Sequence, residues 1–323
     1  MDHFGDRVVE AVQAKGTPAL VGLDPRPDLL PGSLVARHGL RAGASQQIWA
    51  SAIEEFCSRV LDVVAPLVPA VKVQSAFFEL HGAGGIAALR IVMAKARRLG
   101  LVTILDAKRG DIGSTSEAYA KSAFGRADTI ESTRSNPGGC DGADALTVSP
   151  YLGKDSLEPF LKYARLQGRG LFVLVRTSNP GSSDLQQLAD QAAGQPIYSH
   201  VAQWVRGWSE ETRGKSGFGS VGAVVGGTAR EQIAELRAAM PGTILLIPGY
   251  GAQGATAADI ASAFDERGLG ALVNSSRGIL FPDKPAGGVA EQTGAWEEQI
   301  EAALRRMIAD LAKHTPAGRL LNR

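Results

Sequence analysis

Leu105-Asp106-Ala107-Lys108-Arg109-Gly110-Asp111-Ile112-Gly113-Ser114-Thr115 is the stretch on which the reading of this chain turns. It follows Leu101-Val102-Thr103-Ile104, a β-branched apolar run that predicts a buried strand, and it leads into a Ser/Thr-rich helix start. Alternate side chains of a strand share a face, so Val102, Ile104, Asp106 and Lys108 fall on one side. That face begins apolar and ends ionic. A surface ion pair would explain an isolated Asp-x-Lys and would contribute little. Here, however, Gly110 and Gly113 bracket Asp111, which predicts a tightly shaped loop rather than a solvated charge run.

Seven further short apolar runs accompany this one, at residues 19–24, 70–74, 145–149, 170–177, 220–226, 243–249 and 271–276, while the central run covers 102–108. Segments with apolar residues three and four apart separate them. Trp49, Ile53, Phe56, Val60 and Val64 form one stripe, Ile86, Leu89, Val92 and Ala96 another, and Ile300, Leu304, Met307 and Leu311 a third, all expected to face the core. Eight strand-helix units without a break in composition predict an α/β chain folded as a single (β/α)8 TIM barrel over 1–323, with loop insertions near 25–44, 126–144 and 178–194. An open doubly wound sheet would want a Gly-rich dinucleotide turn after its first strand, and Asp24-Pro25-Arg26-Pro27 stands there instead.

Composition narrows the function. The chain has 323 residues, 44% hydrophobic and 21% charged, with a net charge of +1, so there is no global electrostatic footprint for nucleic acid or for an anionic membrane. Cys57 and Cys140 belong to no metal-ligand spacing and do not suggest a disulfide framework. Neither a signal peptide nor a membrane-spanning run is evident, which makes the cytoplasm the default location.

In such a barrel the C-terminal strand ends meet at one mouth, so polar residues there form a single site. Asp24 ends the first run, Asp106 and Lys108 the third, and Ser149 the fourth. Lys72 interrupts the second run between Val71 and Val73. A barrel strand has no edge and a buried ammonium is costly unless paired, so Asp106 and Asp111 are its expected partners. The last two runs lead into Pro248-Gly249-Tyr250-Gly251-Ala252-Gln253-Gly254 and Asn274-Ser275-Ser276-Arg277-Gly278. Glycines let backbone N–H groups approach an anion, and Arg277 offers a planar fork of donors, so a phosphate is the expected ligand there.

With these residues in hand, the sequence resembles the orotidine 5′-phosphate decarboxylase family, in its longer bacterial branch often called type 2. Asp106 to Thr115 matches the family's Asp-x-Lys-x-x-Asp signature in extended form. The likeness continues through Val21-Gly22-Leu23-Asp24-Pro25-Arg26, Val71-Lys72-Val73-Gln74, Thr147-Val148-Ser149-Pro150-Tyr151-Leu152-Gly153 and the two phosphate-side loops. The resemblance implies a cofactor-independent and metal-independent carboxy-lyase that converts orotidine 5′-monophosphate to UMP. By the same resemblance, Asp24 and Lys72 hold ribose hydroxyls, Asp106 faces the substrate carboxylate and Lys108 protonates C6. Asp111 and Thr115 reach the neighbouring site of a homodimer, Ser149 and Gln253 contact the pyrimidine and its phosphate-side loop, and Arg277 takes the phosphate. Two alternatives remain: a phosphosugar decarboxylase of the same barrel superfamily, which shares Asp106, Lys108 and Asp111 but wants magnesium and a nearer acid than Glu79, and a non-catalytic phosphometabolite-binding barrel.

Overall fold

A computed structural model describes residues 3–125, 142–251, 254–282 and 295–322 of the chain. Eight strands form in sequence order: β1 (Ala19–Leu23), β2 (Ala70–Gln74), β3 (Val102–Arg109), β4 (Ala145–Val148), β5 (Gly170–Arg176), β6 (Val221–Val225), β7 (Leu245–Ile247) and β8 (Ala271–Ser275). Each pairs in parallel with the next, and β8 returns to β1 through Leu20↔Asn274, which closes the barrel. The eight expected runs are therefore the eight strands, each placed to within two residues at either end. Their continuous Val, Ile and Leu content is what a strand covered on both faces requires.

Helices wrap the barrel as their stripes predict. Ile53, Phe56, Val60 and Val64 of the helix Gln46–Val64 are buried, as are Ile300, Leu304, Met307 and Leu311 of the helix Trp296–His314. One position departs from expectation: Ile86, near the start of the helix Gly82–Arg98, is 37% exposed, and Gly85 and Ala88 take the core side of its first two turns.

The segment 25–44, expected as loop, carries a 3-10 turn at Pro27–Leu29 and a helix at Gly32–His38. Leu29, Leu30, Leu34 and Leu40 are buried there, so four leucines dock a Pro/Gly-rich stretch onto the body of the protein. The segment 178–194 holds a 3-10 turn (Pro180–Ser182), a helical turn (Ser183–Gln186) and a bridge between Ala189 and Pro196. Most of the third expected insertion, 126–141, lies outside the described residues.

The first helix, Phe4–Lys15, closes the end of the barrel where the strands begin. Phe4 meets Phe172 edge-on at 5.9 Å between ring centroids, and a Cβ at Gly170 would stand 2.5 Å from the Phe4 ring. Arg7 pairs at 2.7 Å with Asp144, whose other oxygen accepts the Thr103 N–H at 2.9 Å and the Thr103 hydroxyl at 2.8 Å. Charge and aromatic packing thus stopper one mouth and leave the other open. Phe4→Ala is expected to lower unfolding free energy by about 3–5 kcal/mol, the usual range for a large buried aromatic, while ligand binding at the opposite mouth stays unchanged; urea denaturation and ligand titration check the two halves separately.

Candidate active site

At the C-terminal ends of the strands lies a cavity of about 760 Å³, lined among others by Asp24, Lys72, Gln74, Asp106, Lys108, Thr147, Ser178, Asn274 and Arg277. Strand register explains how these side chains meet. Gly22 pairs with Lys72 and Leu23 with Val73, so Asp24, one step beyond β1, comes beside the upper part of β2. Gln74 pairs with Asp106 across the next strand boundary.

Asp106 is the centre of the polar floor. One of its oxygens, Oδ2, accepts from Lys72 Nζ at 2.8 Å and from Gln74 Nε2 at 3.0 Å; the other, Oδ1, accepts from Lys108 Nζ at 2.7 Å and from the Thr147 hydroxyl at 2.8 Å. Lys72 is 4% exposed and Asp106 6%, so both charges are desolvated and neither would persist alone. Burial by itself opposes ionisation of Asp106, but the ammonium groups of Lys72 and Lys108 outweigh it and hold the carboxyl far below the usual carboxylate range. Burial likewise opposes the charge on Lys72, and Asp24 with Asp106 overrides it, raising the Lys72 pKa.

The expected partner of Lys72 is corrected in one respect. Its second carboxylate is Asp24, at 3.7 Å, and not Asp111. Asp111 instead turns back on its own loop, its Oδ1 accepting the Ile112 N–H at 2.8 Å, and it forms no ion pair with another described residue. Thr115 is exposed on the helix Gly113–Phe124 and is likewise absent from the lining of this chain's cavity. The β1–β2 register accounts for the difference, since it carries Asp24 directly to a place that Asp111, in the loop after β3, would have to fold back to reach.

Ser149 also differs from expectation. β4 ends at Val148, and the Ser149 N–H already donates to the Arg109 carbonyl at 2.9 Å, so Thr147 is the polar β4 side chain lining the cavity. Ser178, beyond β5, lines the wall as well. Thr147 stands two residues before Ser149 on the same face and is legible by parity; Ser178 sits in a segment whose turns give no periodic signal.

Arg277 begins the short helix Arg277–Leu280 after β8 and faces the same cavity as Lys108. On the neighbouring strand, Pro248, Gly249 and Tyr250 follow β7, with Gly249 at φ +99° and Gly251 at φ +71° allowing a turn that a side chain would strain. Gln253 lies outside the described residues. Glu79 is bound to Arg109 at 2.5 Å and does not line this cavity. Among the described residues no group of three or more His, Cys, Asp or Glu could hold a metal ion, and no helix is long and apolar enough to cross a membrane.

A cavity with two ammonium groups around one carboxylate at its floor and an arginine beside a glycine turn at its rim suits a doubly anionic small molecule. The family model described as orotidine 5′-phosphate decarboxylase / HUMPS matches residues 20–291. The chain belongs to that family. It is 44% identical over 312 residues to the orotidine 5′-phosphate decarboxylase of Rhodopirellula baltica, covering 96% of this chain and 99% of that one. A relative of the same name from Roseiflexus castenholzii is 43% identical over 293 residues, covering 88% of this chain and 92% of its own. In three dimensions the OMP decarboxylase of Leishmania donovani superposes with a TM-score of 0.70 at 31% identity, covering 97% of this chain and 99% of the other.

Because the folded-state pKa of Asp106 is depressed, its contribution to stability is complete above the unfolded carboxylate value and is lost as pH falls through the folded one. Asp106→Asn is therefore expected to be less stable than the parent by about 3 kcal/mol at neutral pH, the scale of a broken buried pair. That gap should hold down to pH ~4 and narrow only below it, as urea titrations at several pH values would record.

Proposed function

We propose that the chain decarboxylates orotidine 5′-monophosphate to UMP, without cofactor, at the cavity built on Asp106. The observation that carries this is the placement of one carboxylate between Lys72 and Lys108, at 2.8 and 2.7 Å, on the floor of the cavity that Arg277 also lines. With the phosphate on Arg277 and the glycine turn after β7, and the ribose hydroxyls near Asp24 and Lys72, the pyrimidine carboxylate would come against Asp106. Two carboxylates about 4 Å apart repel by roughly 4 kcal/mol at an effective dielectric of ~20. That repulsion disappears as the C6–carboxyl bond breaks and carbon dioxide leaves. The bonding electron pair stays on C6, next to the Lys108 ammonium, which favours the developing charge and then supplies the proton. Lys108 is left neutral and regains its proton from water.

Phosphate contacts remote from C6 supply the binding energy that holds this unfavourable arrangement together. A phosphosugar decarboxylase is the weaker reading here, since the acid it would use, Glu79, is paired with Arg109 and lies outside the cavity lining. The extended Asp106 to Thr115 string supports placement in the longer, type 2 branch of the family, as one barrel domain with insertions over 25–44, 126–144 and 178–194. The cysteine usage, which suggests no disulfide framework, supports a cytoplasmic location.

The working unit in this proposal is a homodimer. Asp111 and Thr115 lie outside their own chain's cavity, and the loops that follow β3 and β4 expose Ile112 (60%), Tyr151 (75%) and Leu152 (48%), apolar side chains that a second copy would cover. Asp111 would then complete the alternating row in the neighbouring site, and Thr115 would join it there. Ser149 keeps its expected part near the pyrimidine only if the segment after β4 moves inward, and Gln253, outside the described residues, keeps its expected contact on the phosphate side.

Loss of orotidylate absorbance on adding the purified, chelator-treated chain tests the activity directly. Lys108→Ala is expected to abolish turnover while UMP still binds, and near-normal turnover would contradict the mechanism. Arg277→Ala should weaken phosphate-bearing ligands and slow turnover, with phosphate-free analogues unaffected; equal losses for both ligand classes would remove its assigned role. Mixing inactive Lys108→Ala chains with inactive Asp111→Ala chains should restore up to about a quarter of parental activity, because half the random dimers then carry one intact site. No restoration in mixed dimers would place Asp111 in its own chain's site or in none.

A further inference from the structure

We propose that Thr147 is the positioning residue that sets both Asp106 and Lys108 for proton transfer, through a bulge in β3 that its hydroxyl holds in place. The proposal rests on the reading of Lys108 as the proton donor. Pairing between β3 and β4 runs Ile104↔Ala145 and Leu105↔Leu146, then resumes at Arg109↔Val148. Three residues of β3, Asp106, Ala107 and Lys108, therefore stand opposite Thr147 alone. Such an excess bends a strand and leaves backbone groups without ladder partners.

Thr147 supplies what the ladder lacks. Its Oγ1 accepts the Ala107 N–H at 3.1 Å and the Lys108 N–H at 3.0 Å, and its own proton goes to Asp106 Oδ1 at 2.8 Å. One hydroxyl offers one donor and two acceptor positions, and all three are used. The side chain is 1% exposed, so water is a poor substitute. Lys108 has φ +46°, and no other described non-glycine residue has a positive φ. A lysine adopts that conformation only when its surroundings impose it, and such imposed conformations gather at working sites. The same Asp106 oxygen that Thr147 donates to also receives Lys108 Nζ at 2.7 Å. A single threonine thus ties the backbone that aims the lysine to the carboxylate that the lysine faces.

Valine matches threonine in shape and lacks the hydroxyl, while serine keeps it. Thr147→Val is expected to lower kcat by ~100-fold, the cost of misplacing a reacting group by about an ångström, with UMP affinity within about twofold of the parent. Thr147→Ser should recover most of the lost rate. A valine variant with kcat within about threefold of the parent, a loss shared equally between kcat and UMP affinity, or a serine variant as impaired as valine would each overturn the proposal. Should the valine variant not fold, residue-resolved amide exchange on the parent decides: slow exchange at Ala107 and Lys108 supports the hold by Thr147, and free exchange there contradicts it. A parent chain that leaves orotidylate untouched would instead refute the functional reading, and the exchange measurement would still report on Thr147.

Discussion

A carboxylate largely withdrawn from water, gripped from both sides by ammonium groups, is the interaction on which the structure of this protein depends. Asp106 can be ionised at the floor of the barrel only because Lys72 and Lys108 reach it, and Lys72 can be charged in a sealed strand only because Asp106 and Asp24 face it. Loss of Asp106 would leave Lys72 with Asp24 alone, whereas Lys108, its side chain 47% exposed, can be removed without stranding a buried ammonium. The closed sheet makes this possible: strand register fixes the height of each side chain, and neighbouring strands deliver Asp24, Lys72, Gln74, Asp106 and Thr147 to one level.

The rest of the molecule divides its labour around that cluster. The helix Phe4–Lys15 seals the far mouth, so the barrel is anchored where no ligand enters. At the open mouth Arg277 and the turn after β7 line the same cavity as the charged floor, and in the proposed reaction they would grip the phosphate. In that reaction, attraction at the phosphate would offset repulsion at the carboxylate, which would be relieved as carbon dioxide leaves. The strained backbone at Lys108 serves the same end, since a fixed ammonium need not reorganise as charge develops beside it.

Much of this is legible in the residues alone. Eight largely buried runs announce themselves by their short apolar content, and the unlikely lysine at position 72 points to a carboxylate partner by charge alone. What escapes has a common physical cause: periodicity reports which face a residue takes but not where a strand stops or how it aligns with its neighbour. Hence the pattern points to Ser149 where Thr147 stands, because β4 ends one residue sooner than the apolar run suggests. It points to Asp111 beside Lys72, whereas the register of β1 against β2 brings Asp24 there. The bulge at Lys108 leaves no trace in hydrophobic patterning at all. Four leucines among the prolines and glycines of 25–44 do signal docked helices, once burial is weighed above turn propensity.

In the proposed reaction the phosphate grip and the lysine–carboxylate floor serve one bound nucleotide. A crystal structure of the chain with UMP tests it most directly. The phosphate is expected on Arg277 and the glycine turn after β7, with C6 of the ring facing Lys108 Nζ at about hydrogen-bonding distance. A nucleotide seated with its phosphate away from Arg277, or with C6 turned from Lys108, would contradict it.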